Sequence, residues 1–263
     1  MINYLKESTF AINDVISDAW DVLKKRYFAI AGICFLLFII SNGSGILAMY
    51  MNSINIFLSI FMAFLFLVLY FAIQLTLFKH IFQVLDRKRE DIHLKDSFPT
   101  AKELIYFFTC AISIIVLFFF VYMVIAVLFF PLIYANIIGI TSMVSIVFLI
   151  AFALIFYIFL RVLFYPFFIL DKEEKPFKSI RLSFAITRGN SMKIILLIVF
   201  FALFGSLYLY FSYRGYQVIS TGVSLVNSFI IIPLSSVAFV IAYRKMMHDY
   251  RGDMDPSIME NII

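Results

Sequence analysis

The sequence predicts an all-α integral membrane protein with six transmembrane helices, and three observations lead there. Apolar residues make up 64% of the 263-residue chain against 14% charged, with a mean hydropathy of +1.03; soluble domains are roughly half apolar and a quarter charged. Runs such as Leu117, Phe118, Phe119 and Phe120 put apolar side chains on every helical face, as a lipid-immersed or bundle-buried helix requires. Period-two alternation is absent, so the spans are helices rather than barrel strands, the other structure that satisfies its own backbone in lipid.

At about 20 apolar residues per span, the expected spans are 27–50, 55–78, 104–130, 137–165, 192–213 and 217–243. Ser41, Asn42, Gly43, Ser44 and Gly45 interrupt the first. They read as the outer turn of a hairpin with a short first helix, or as a broken helix of the transporter kind. Either choice keeps six spans in one transmembrane domain, 1–263.

Charge sets the orientation, because short cytoplasmic loops retain Lys and Arg. The N-terminal segment to Arg26, the loops 79–103 and 171–193 and the tail after Tyr243 hold every basic residue except Arg161 and Arg214, and all sixteen acidic residues. Both termini are therefore expected in the cytoplasm. Glu7, Asp14, Asp18 and Asp21 precede the first apolar segment, which does not read as a signal peptide. The basic loops are expected to meet anionic lipid headgroups; no nucleic-acid motif is present.

Three short segments resemble one another: Ser8-Thr9-Phe10-Ala11-Ile12, Asp96-Ser97-Phe98-Pro99-Thr100 and Leu182-Ser183-Phe184-Ala185-Ile186. Each precedes a pair of spans, and related turns recur at Leu85-Asp86-Arg87, Leu170-Asp171-Lys172 and His248-Asp249-Tyr250. This layout predicts three repeats, about 1–90, 91–175 and 176–263, each an amphipathic cytoplasmic helix followed by a transmembrane hairpin. In the first repeat Phe10, Val15, Ile16, Ala19, Trp20 and Leu23 form the expected apolar face. In the third, Phe177, Ile180 and Phe184 do so, with Lys178, Arg181 and Arg188 supplying charge and Gly189 with Asn190 a C-cap signal.

Arg161, Pro166, Leu170-Asp171, Ser179-Ile180, Ser183 and Thr187-Arg188-Gly189-Asn190 together resemble the six-span membrane domain associated with glycerophosphodiester phosphodiesterases and related uncharacterised bacterial inner-membrane proteins. The resemblance is strongest over residues 158–200. It implies the six-span layout and not the enzymatic activity, since six spans leave no room for a barrel of about 250 residues.

Arg161 is the leading candidate site residue. Its guanidinium either binds an anion, with Arg188 and Ser183, or snorkels and pairs structurally. Pro166, Pro233, Gly189 and Asn227 are expected to mark helix breaks or packing positions, and Ser220, Thr221, Ser224, Ser228, Ser235 and Ser236 either line a polar path or permit close helix approach. Cys34 and Cys110 are expected to be buried thiols. His80, His93 and His248 lack metal-ligand spacing, and no cofactor is expected. The leading functional reading is a noncatalytic scaffold or accessory subunit that has a protein partner. The alternative is a carrier or channel for an anionic or amphipathic small molecule or lipid. A membrane enzyme would require His80, His93, His248 and Asp171 to converge.

Overall fold

The computed structural model describes residues 10–52, 54–86, 94–134 and 139–249. It is all-helical, with no strand among the described residues. We number the helices α1 (Ile12–Asn52), α2 (Ile56–Asp86), α3 (Ala101–Tyr134), α4 (Ile140–Val162), α5 (Tyr165–Lys172), α6 (Pro176–Thr187), α7 (Ser191–Tyr213), α8 (Gln217–Val226) and α9 (Ile232–Asp249). A 3₁₀ turn, Leu94–Ser97, precedes α3, and a π turn, Asn227–Ile231, joins α8 to α9. Six segments are long and apolar enough to cross a membrane: Ile12–Met51, Ile56–Asp86, Leu94–Pro131, Thr141–Lys172, Ser191–Tyr213 and Gln217–His248.

Helical geometry fails inside α1 at Arg26, where φ is −129° and ψ is 27°. The kink separates a first section from the long apolar remainder of the helix. In that section Val15, Ala19 and Leu23, four residues apart on one face, are buried, and Phe10 joins them. Trp20 departs from the expected face. It is 41% exposed, with the Lys24 ammonium 5.4 Å from its ring centroid.

The polar segment from Ser41 to Gly45 does not turn the chain. Asn42 donates to the Phe38 carbonyl at 2.8 Å and Ser44 to Ser41 at 2.9 Å, so both side chains bond back onto the helix. The turn comes later, where Ile54 and Asn55 donate to the Met51 carbonyl and Asn55 Oδ1 accepts from the Phe57 N–H at 2.8 Å. The expected 137–165 span is also divided, because α4 stops at Val162 and α5 starts at Tyr165. Pro166 sits in the first turn of α5, where its fixed φ and missing N–H suit a helix start but not a helix interior.

Lys79, Arg161 and Arg244 lie at one end of the bundle, hereafter the basic end. The main core is there: α1 packs on α2 and α9, and α6 packs against α3, α4 and α5. Phe164, Phe168 and Tyr243 are fully buried, and the Tyr243 ring meets Phe82, Phe167 and Phe168 at centroid distances of 5.7, 5.5 and 5.2 Å. Toward the opposite end, among the described residues, α3 and α4 share a small separate cluster, Ile125, Met143, Val147 and Ala151, with partly buried neighbours such as Val121 and Phe129.

The three segments that precede span pairs do not fold alike. The third is helical, in α6; of the first, Ser8 and Thr9 lie outside the described residues and Phe10 and Ala11 precede α1, which starts at Ile12; the second shows only the four-residue 3₁₀ turn among the described residues.

Candidate ligand site

One face of α2 carries two cavities in succession. Ala63, Phe66, Leu67, Tyr70 and Phe71 line a cavity of about 430 Å³ against α1, where Ser41, Ser44 and Gly45 form the other wall. Tyr70 and Phe71 also line the second cavity, of about 610 Å³, which continues along Gln74, Leu75 and Phe78. Positions 63, 66, 67, 70, 71, 74, 75 and 78 follow helical spacing, so they form one stripe with a length of about 22 Å at 1.5 Å per residue.

The second cavity is closed by α3, α4, α5 and α9. Its floor is buried at Leu75, Phe107, Ile114, Val162, Phe167 and Ser236, while Ile115 and Phe159 stand exposed at its rim. None of its twenty lining residues is charged. Ser235 and Ser236 donate to the Ile232 carbonyl at 2.9 Å, which commits their protons to their own helix. The Gln74 amide and the hydroxyls of Tyr70 and Tyr165 have no hydrogen-bond partner among the described residues. Sequence reading overlooked Gln74, although a lone amide inside an apolar span was visible in the chain.

Arg161 lies behind this cavity and does not line it. Its guanidinium carbon stands 5.6 Å from the Phe184 ring centroid, and its Nε is buried without a partner among the described residues. What gathers around Arg161 is its backbone. The Ser183 hydroxyl donates to the Arg161 carbonyl at 2.8 Å and accepts from the Phe164 N–H at 3.1 Å, and Thr187 Oγ1 lies 3.3 Å from the same carbonyl. Ser183 thus closes the backbone gap that the α4–α5 break opens.

This explains why the expected apolar face of α6 is not the buried one. Ser179, Leu182, Ser183, Ile186 and Thr187 are buried, Phe177 is 73% exposed, and Phe184 lies half-buried under Arg161. Arg188 is exposed at the C-cap of α6, and Gly189 adopts φ +83°, a left-handed turn that glycine allows at no steric cost. Asn190 follows, 1% exposed, with neither side-chain amide atom bonded among the described residues.

In the sixth span Asn227 opens the π turn and Pro233 follows it in the first turn of α9. Ser220 and Thr221 both donate to the Gln217 carbonyl, so they too turn onto their own helix.

At the basic end Arg244 bonds Asp86 at 2.7 Å and Asp171 at 3.0 Å, while Tyr243 donates to Asp171 at 3.1 Å. Lys79 pairs with Glu103 at 2.9 Å. Glu103 and Thr100 cap α3 reciprocally, Thr100 N–H to Glu103 at 2.6 Å and Glu103 N–H to Thr100 Oγ1 at 3.2 Å. His80 is buried and faces Ser97 at 3.1 Å. Because Ser97 gives its proton to Gln83 at 2.7 Å, His80 carries its proton on Nδ1 and leaves Nε2 as a buried acceptor without a partner among the described residues. His248 ends α9 in an exposed position, and His93 lies outside the described residues. The described residues hold no group of three metal-ligating side chains.

No family model, curated protein or solved structure matches this chain.

Proposed function

We propose that this protein is a noncatalytic multi-pass membrane protein that holds a lipid-like amphiphile along α2, the second of the readings open to the sequence. The observation that supports it is the stripe from Ala63 to Phe78, which lines both cavities and gives an apolar path of about 22 Å, close to the length of an extended long acyl chain. Apolar walls with a few uncommitted polar groups are the usual composition of a small-molecule site. Charge placement supports the basic end as the cytoplasmic one, with both termini there.

Photo-crosslinking tests the site. A diazirine-bearing acyl lipid in membranes containing the full-length protein should label peptides of α2, α3 and α9 that face the cavities. Labelling spread evenly over the exposed faces of α3 and α4 would leave only an ordinary lipid shell. A ligand-free chain that retains a copurifying protein would instead favour the scaffold or accessory-subunit reading.

A further inference from the structure

Resting on that reading, we infer that the occupant of the larger cavity is an uncharged amphiphile, an acyl lipid whose polar portion is made of hydroxyl and ester groups. Any polar part drawn inside meets only neutral partners. The Gln74 amide offers two donors and an acceptor, and the Tyr70 and Tyr165 hydroxyls each offer one donor. Tyr70 and Gln74 stand one helical turn apart on α2, about 6 Å along the axis, and Tyr165 faces them from α5.

Four cations of the basic end are engaged away from this wall: Lys79 with Glu103, Lys102 over the Tyr106 ring, Arg161 over Phe184, and Arg244 with Asp86 and Asp171. A phosphate or carboxylate in the cavity would lose its hydration without gaining a counter-charge. A glycerol hydroxyl or ester carbonyl would exchange one neutral hydrogen bond for another. The anionic ligand considered from sequence therefore does not suit this cavity.

The test is native mass spectrometry of the full-length protein in mild detergent, titrated separately with dioleoylglycerol and with dioleoyl phosphatidic acid, which share their acyl chains and differ in charge. The expected result is one bound dioleoylglycerol, with phosphatidic acid binding at least tenfold more weakly. Gln74→Leu should weaken dioleoylglycerol about tenfold without lowering the thermal midpoint, because an apolar side chain suits this span. Tyr165→Phe, which keeps the ring, should weaken it several-fold. Preference for phosphatidic acid, or Gln74→Leu binding dioleoylglycerol as the wild type does, overturns the uncharged class while leaving the site in place. Binding of neither lipid, with no crosslinking to α2, overturns the site itself.

Discussion

Tyr27 donates a hydrogen bond of 3.2 Å to the carbonyl of Phe229, four residues before Pro233. In an uninterrupted helix that carbonyl would accept from residue 233, which as proline has no N–H. The π turn and the proline together free it, and a tyrosine from α1 closes the account. The same contact fixes α1 against the π turn that leads into α9, with Phe35 stacking on Phe229 at 5.9 Å.

Removing that hydroxyl should therefore matter through the proline. Tyr27→Phe is expected to destabilise the protein by about 1 kcal/mol, the range for interhelical hydrogen bonds in membranes. In a Pro233→Ala background, where residue 233 can supply the N–H, the same substitution should have little effect. A thermal-unfolding double-mutant cycle measures the difference; additive effects would show that the carbonyl is not shared in this way.

Ser183→Ala should be among the more damaging single changes in α6. It strips a donor from the Arg161 carbonyl and an acceptor from the Phe164 N–H, both at the α4–α5 break. A loss of about 2 kcal/mol is expected for such buried backbone groups. Thr187→Val, which removes a longer contact to the same carbonyl, should lose less. Chemical unfolding in detergent would rank the two, and the reverse order would show that Ser183 is not the clamp.

The two aspartates on Arg244 are not equivalent. Asp86 has a 56% exposed side chain and Asp171 a 9% exposed one that also receives Tyr243. Asp86→Asn should change stability by under about 1 kcal/mol, as exposed ion pairs do. Asp171→Asn should weaken the packing of α5 on α9 by more, because it leaves Tyr243 and Arg244 facing a neutral amide. Thermal midpoints of the two variants, compared at low and high salt, decide it; equal effects would count against Asp171 as the main anchor.

Cys34 is 3% exposed and Cys110 is fully buried, with its thiol 3.3 Å from the Pro176 carbonyl. A bulky maleimide should leave both unlabelled in the folded protein and label both after denaturation. Prompt labelling of the native protein would place a thiol at the surface.

The six apolar helices were legible because lipid demands length and composition, and both can be read directly from the chain. The buried face of α6 was not. Hydrophobic spacing pointed to Phe177, Ile180 and Phe184, whereas the structure buries Ser179, Ser183 and Thr187; Ser183 and Thr187 reach the Arg161 carbonyl at the stop of α4, and Ser179 bonds the Glu174 and Lys175 carbonyls. No side-chain pattern announces those partners. Ser41 to Gly45 misled for the opposite reason. Turn-forming residues were present, but their side chains bond the helix they sit in, and the turn falls some ten residues later. The cavity was invisible because its stripe on α2 is as apolar as its lipid-facing sides; only the loose Gln74 distinguished it.

The unequal distribution of the core gives the molecule a mechanical character. Among the described residues, helices bound together at the basic end, and joined elsewhere on α3 and α4 by the small cluster around Ile125, Met143, Val147 and Ala151, resemble cantilevers with a clamped root. In a bilayer, changes in thickness or lateral pressure would be absorbed as tilt of the tips, while the root would keep its shape. Hydrogen exchange should be fast and graded toward the tips and slow at the root. The larger cavity lies beside the clamped root, with Ile115 of α3 and Phe159 of α4 exposed at its rim.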